Sequence, residues 1–117
     1  MDRFKFRLWD IEEKKYHNGM EVFDYMRGVS NPDRYTLEQC TGLNDKNGKL
    51  IYEGDILKCI HSDIMKYKIY WGRSCWRMKV YGTNNKIVDD AHLFLDTAIL
   101  EVIGNIHENA DLLQENK

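Results

Sequence analysis

The chain has 117 residues and a mass of 13.9 kDa, enough for one domain that buries its own core without disulfide or metal staples. It is 43% hydrophobic and 31% charged, which excludes a disordered chain, and no uncharged run approaches the roughly 18 apolar residues of a membrane span. The 17 basic and 19 acidic residues leave −2, yet Lys66 to Tyr81 holds Lys66, Lys68, Arg73, Arg77 and Lys79 and no carboxylate, a +5 segment set in a −7 remainder.

The elements follow from periodicity and turn chemistry. Phe4 to Trp9 alternates, with Phe4, Phe6 and Leu8 on one side and Lys5, Arg7 and Trp9 on the other, which predicts a half-buried strand. Tyr16-His17-Asn18-Gly19 is a turn signal. Met20 to Met26 fits either a strand or one or two turns of helix. Ser30-Asn31-Pro32-Asp33 is a loop, because proline lacks the amide and restricts the residue before it. Tyr35 to Cys40 reads as a short strand. Asn44-Asp45-Lys46-Asn47-Gly48 is a strong turn, since Asn-Gly takes the positive φ that a tight reversal needs.

Leu50 to Tyr52 resumes extended structure, Glu53-Gly54-Asp55 breaks it, and Ile56 to Ile60 continues it. The clearest hairpin follows. Tyr67, Ile69 and Trp71 share a face with Trp76, Met78 and Val80; Lys66, Lys68 and Tyr70 share the other with Arg77, Lys79 and Tyr81. Gly82-Thr83-Asn84-Asn85 turns the chain again, and Asp89 to Phe94 is read as a short helical turn. Ile99 to Ile106 is a strand with a bulge candidate at Gly104, and Asn109 is placed to N-cap a short helix, Ala110 to Glu115. The fold class expected is mainly β, α+β at most. It would be a small, strongly bent antiparallel sheet or SH3-like barrel with an added N-terminal strand and a short C-terminal helix. Residues 1–117 would form one domain: an extension over about 1–40, a barrel-like core over about 41–108 and a tail over 109–117.

Three blocks carry a family resemblance. Phe4-Lys5-Phe6-Arg7-Leu8-Trp9-Asp10 is similar to an opening Lys-Phe-Arg-x-Trp-Asp. Thr41 to Ile56, containing Thr41-Gly42-Leu43-Asn44-Asp45, Gly48 and Ile51-Tyr52-Glu53-Gly54-Asp55, is similar to Thr-Gly-Leu-x-Asp-x-x-Gly-x-x-Ile-Tyr-Glu-Gly-Asp. Val102-Ile103-Gly104-Asn105-Ile106-His107-Glu108-Asn109 is similar to a closing Gly-Asn-Ile-x-Glu-Asn. In this order they resemble the YopX-like family of phage and prophage proteins, with Ala110 standing where that family often has proline. The resemblance implies a phage or prophage origin and no particular reaction. Its motif residues Trp9, Asp10, Gly42, Leu43, Asp45, Gly48, Tyr52, Glu53, Gly54, Asp55, Gly104 and Asn105 are expected to be structural.

The residues themselves point the same way. Gly54 at a strand entry suits a dihedral that other residues avoid, and Asp55 can accept backbone amides there. The alternative is a Glu53/Asp55 carboxylate pair doing acid–base work, with no histidine, serine or lysine beside it in sequence. Cys40, Cys59 and Cys75 with His17, His61, His92 and His107 invite a metal reading, but zinc sites space a close ligand pair by two to five residues, and only Cys59 and His61 are close, with one residue between. No catalytic, cofactor or metal site is expected, and no Walker-type loop occurs. Trp71 and Trp76 are expected in the core, while Trp9, on the polar side of its strand, is the better candidate for contact with another chain in a homo-oligomer.

The remaining surface is the outer hairpin face of Lys66, Lys68, Tyr70, Arg77, Lys79 and Tyr81. It suits either a solvated sheet face or nucleic acid, with a phage or host protein as the other partner. An odd count of widely spaced cysteines and the lack of an apolar h-region after Met1 suggest a reducing cytoplasm, which the phage resemblance implies is that of a bacterial host, away from membranes. The function expected is a non-enzymatic binding or assembly module, with a nucleic-acid-binding accessory protein as the alternative.

Overall fold

The structure, a computed structural model, describes residues 5–93 and 97–114. Among these residues nine strands and one α-helix follow in the order β1 Phe6–Asp10, β2 Lys15–His17, α1 Met20–Met26, β3 Tyr35–Asn44, β4 Leu50–Tyr52, β5 Asp55–Cys59, β6 Lys66–Gly72, β7 Cys75–Tyr81, β8 Ile87–His92 and β9 Leu100–Asn105, with short 3-10 turns between and after them. They make two antiparallel sheets, ordered β2-β1-β3-β4 and β8-β7-β6-β5-β9, in a strongly curled half-barrel. Among the described residues no helix is long and apolar enough to cross a membrane.

Turn chemistry sets the register. Asp45 Oδ1 accepts the amides of Asn47 and Lys49, and Gly48 takes φ 80°, so β3 reverses into β4. The β6–β7 hairpin closes on Arg73 and Ser74, both with positive φ (51° and 62°), the twist that two-residue hairpins prefer. Its register pairs Ile69 with Met78 and Tyr67 with Val80. Ile69 and Met78 join Ile51, Leu57, Leu93 and Leu100 in the buried core, and Tyr67, Trp76 and Val102 pack against it.

Several expectations are revised. Residues 87–92 are strand β8, not a helical turn: Ile87-Val88 is β-branched, and the segment pairs along β7 from Arg77↔His92 to Tyr81↔Ile87. Phe94, the end of that expected turn, lies outside the described residues. Met20 to Met26 is helix, while Tyr16 and His17 belong to β2 rather than to a turn. β3 continues beyond Cys40 to Asn44, through an irregularity in its pairing with β4 where Gly42 takes φ 83°. Asn109 caps nothing with its side chain. Ala110–Leu113 is a 3-10 turn, and the Asn109 Oδ1 instead accepts the Asn105 amide at 3.1 Å. Glu115 lies outside the described residues.

The tryptophans change places. Trp71 is 53% exposed, because β5 pairs with β6 only as far as Lys68 and leaves the hairpin end uncovered; it keeps an edge-on contact with Trp76. Trp9 is buried, so it is not available for contact with another chain. The reason is topological: β1 lies inside its sheet, and the segment after β9 folds back over its outer face, stacking His107 on the Trp9 ring at 4.7 Å.

Candidate functional site

The register of the first sheet assembles a polar seam. Arg7 and Trp9 alternate on β1 and so share a face. Glu38 on β3 stands opposite Arg7, and Tyr16 on β2 stands opposite Trp9. Asp55 opens β5, and His107 follows β9. The Arg7 guanidinium joins them: Nε donates to Glu38 Oε1 at 2.8 Å, and Nη2 donates to Asp55 Oδ1 at 2.8 Å and to the Glu53 carbonyl at 3.2 Å. Its Cζ lies over the rings of Tyr16 and Tyr52, 4.2 and 4.6 Å from their centroids. Glu38 also accepts the Tyr16 hydroxyl at 3.0 Å and bonds His107 Nε2 at 2.8 Å.

Burial works against the Arg7 charge, but Asp55 and Glu38 more than offset it, so the guanidinium is held in its charged form beyond its ordinary range. Burial, with Glu38 adding to it against Arg7, keeps the Tyr16 hydroxyl protonated far above the usual phenol range. Burial also raises the Glu53 carboxyl. Asp55 Oδ2 accepts the Tyr52 amide at 2.8 Å, so this carboxylate both fixes the turn and answers Arg7. Gly54, at φ 86°, runs so close to the seam that an added Cβ would lie 2.7 Å from Glu38 Oε2.

The closing turn aims His107. Asn105 Oδ1 accepts the amides of His107 and Glu108 at 3.0 and 2.9 Å, and an added Cβ on Gly104 would meet Asn109 Oδ1 at 2.6 Å. Asp45 ties the middle block to this strand, because its Oδ2 accepts the Val102 amide at 2.9 Å. Burial pushes the Asp45 carboxyl up, and the Val102, Lys49 and Asn47 amides together bring it below the usual carboxylate range. The three blocks that carry the family resemblance therefore meet: Arg7 of the first holds Asp55 of the second, Asp45 of the second holds Val102 of the third, and His107 of the third stacks on Trp9 of the first.

Asp10 centres a smaller cluster. Its carboxylate, fully buried, takes Arg34 Nε and Nη2 at 3.0 and 2.8 Å, His17 Nε2 at 3.0 Å, and the amides of Glu12 and Glu13. The Arg34 bonds foremost, against the cost of burial and helped by the Glu13, His17 and Glu12 bonds, hold it well below the usual carboxylate range. Asp10, Glu13 and His17 offer ligand atoms within 4.8 Å of one another, the one such group among the described residues. The Arg34 guanidinium already bonds both Asp10 and Glu13 there. The His61 backbone amide donates to Cys59 Sγ at 3.5 Å, and none of the three cysteines is in a disulfide.

The hairpin face is divided. Arg77 and Tyr81 are buried, whereas Lys66, Lys68, Tyr70 and Lys79 are half-buried. Arg77 Nε donates to Asp90 Oδ1 at 2.9 Å, and the Tyr70 hydroxyl donates to the same carboxylate. Lys68 and Tyr70 border a narrow cleft of about 170 Å³ with Glu38 and Glu53, while Trp9 and His107 border an open depression of about 630 Å³ with Lys14 and Glu108.

Sequence reasoning missed Arg7, Tyr16 and Glu38 as members of one cluster. The available signal was Arg7 two residues from Trp9, a large cation and a large aromatic on one strand face. Nothing local marks Glu38.

The model of the YopX protein family matches residues 17–114, and the chain belongs to that family. No curated protein matches it. The crystal structure of protein EF1440 from Enterococcus faecalis is similar to it, with a TM-score of 0.63 and 25% identity over 94% of this chain and 97% of that one.

Proposed function

We propose that this YopX-family chain is a non-enzymatic binding or assembly module acting in the cytoplasm of a bacterium that carries a phage or prophage. One observation carries the reading: the groups best suited to acid–base chemistry, Arg7, Glu38, Asp55, Tyr16 and His107, are bonded to one another. Among the described residues no buried side-chain nitrogen or oxygen lacks a partner. A general acid or base must exchange its proton with a substrate group within hydrogen-bond reach, and a closed network that packs two sheets together serves stability instead. The phage setting is supported by the resemblance of the three sequence blocks, and the cytoplasm by the odd number of widely spaced cysteines, none of them in a disulfide.

The test is affinity purification of the tagged chain from cells in which its phage or prophage is active, in parallel with Glu38→Gln and His107→Gln. A binding module keeps its partners and its biological effect in any variant that still folds, and loses both together when a surface substitution releases the partner. A folded His107→Gln variant that retains every partner and yet abolishes the effect refutes the reading in favour of catalysis.

A further inference from the structure

Residues directly opposite on an antiparallel pair bring their Cβ atoms to about 4.5–5.5 Å, and like charges in that position destabilise the sheet. This sheet contains two such pairs in adjacent rows. Lys58 of β5 stands opposite Lys66 of β6, and Lys68 of β6 stands opposite Lys79 of β7. Lys66 and Lys68 are two residues apart, so all four share one face. All four are half-buried, as expected when lysine stems lie along a sheet and the ammonium groups reach outward.

The fold does little to relieve the repulsion. Lys58 meets Asp63 at 3.8 Å, but that carboxylate is 99% exposed. Glu101, opposite Lys58 on β9, lies 3.7 Å from Lys46. Lys66 donates to the neutral Asn85 side-chain oxygen at 3.0 Å, and Lys79 lies 5.5 Å from the centre of the Tyr70 ring. Asp90 stands opposite Lys79 but is engaged by Arg77 and Tyr70. Among the described residues the quartet's one ion pair is Lys58 with the exposed Asp63, and the carboxylates that Lys68 and Lys79 face, Glu38 and Asp90, are already held by Arg7 and Arg77, so positive charge is in excess on this face and suits an anion from outside.

We propose that Lys58, Lys66, Lys68 and Lys79 bind the sugar–phosphate backbone of single-stranded nucleic acid, without sequence preference. The assignment rests on the reading of the chain as a binding module. The face is the side of a sheet, too broad to enter a groove of a duplex, whereas a single strand can lie across it. Half-buried Tyr70, beside the quartet, supplies a ring on which a base can stack. An acidic polypeptide would satisfy the lysines and leave that ring unused. Arg77 and Tyr81 take no part, since both are buried.

The experiment is fluorescence anisotropy of the full chain with a labelled oligo(dT), a single-stranded RNA and a DNA duplex of equal length, over a salt series, with polyglutamate as a competitor. Four phosphate contacts give a log–log salt slope of about −2.8 on a single strand, and Lys66→Gln/Lys68→Gln halves it to about −1.4 with about tenfold or greater loss of affinity. Lys66→Glu/Lys68→Glu turns both repulsive pairs into attractive ones, so it must keep or raise the denaturation midpoint while binding is lost. Lys14→Glu/Lys15→Glu, on the other sheet, leaves affinity and slope unchanged. The proposal is overturned if the wild-type chain ignores both single strands at low salt, if it binds duplex as tightly as single strand, or if the Lys14/Lys15 variant loses as much affinity as the quartet variants. If it ignores nucleic acid but holds polyglutamate or a protein partner through the same lysines, this assignment falls and the binding-module reading stands.

Discussion

Gly54→Ala should be among the most damaging small substitutions in the chain, for two separable reasons. Gly54 holds φ 86°, a conformation that costs a residue with a Cβ about 1–2 kcal/mol. The new Cβ would also lie 2.7 Å from Glu38 Oε2 and 3.4 Å from Ile106 Cγ1. A free glutamate could swing aside, but this one is held by Arg7 and Tyr16 at Oε1 and by His107 at Oε2. Moving it breaks at least one hydrogen bond to a charged group, a further 1.5–3 kcal/mol or so, for a total of about 2.5–5 kcal/mol. Gly48 is the control, because it has φ 80° and no atom within 4 Å of its added Cβ, so Gly48→Ala costs the strain alone, about 1–2 kcal/mol. Urea denaturation measures both, provided the m-value is unchanged. In a Glu38→Ala background the cost of Gly54→Ala should fall to that of Gly48→Ala. Equal midpoints for the two glycine variants, or a Gly54→Ala cost indifferent to Glu38, would refute the clash with the seam.

Arg7→Met should destabilise by about 3–5 kcal/mol by urea denaturation, since it leaves Glu38 and Asp55 as buried carboxylates without their cation; Arg7→Lys should recover only part, having no fork to span both. Lys68→Glu should raise the urea midpoint by the equivalent of about 0.2–1 kcal/mol, because the new carboxylate faces Lys79. Asp10 is held below its ordinary carboxyl range in the folded state, so its contribution is present above that range and is lost as pH falls through the folded value. Asp10→Asn should therefore flatten the acid limb of a stability–pH curve, with the difference from wild type greatest at neutral pH and shrinking below about pH 4.

What could be read locally was read well. Period-two alternation placed the β6–β7 hairpin, and Asn47-Gly48 and Gly54 marked reversals, because a positive φ is a property of one residue and its neighbours. The helical turn expected over Asp89 to Phe94 failed on the same scale: its described part is strand, and the deciding contribution was pairing along the edge of β7, which no local pattern reveals.

The seam lay beyond such reasoning for a different reason. Alternation correctly put Arg7 with Trp9, but it labelled that face polar and hence wet. Its cover arrives from 31 residues away at Glu38, and Glu38 in turn meets His107 across 69 residues. A strand face is wet or dry according to what the topology lays over it, and a buried face can be polar when its charges are matched in place. Arg7, two carboxylates, a hydroxyl and an imidazole meet that condition while the guanidinium also lies against two aromatic rings. The lysine quartet is the opposite case: Lys66, Lys68 and Lys79 were legible as part of a charged face, but Lys58 was not, and only the register showed Lys58 opposite Lys66 and Lys68 opposite Lys79. The guanidinium groups of Arg7 and Arg77 each hold a carboxylate. Among the described residues the quartet has one ion pair, Lys58 with the exposed Asp63, and that contrast is why the seam is read as holding the fold together and the quartet as the part that meets something else.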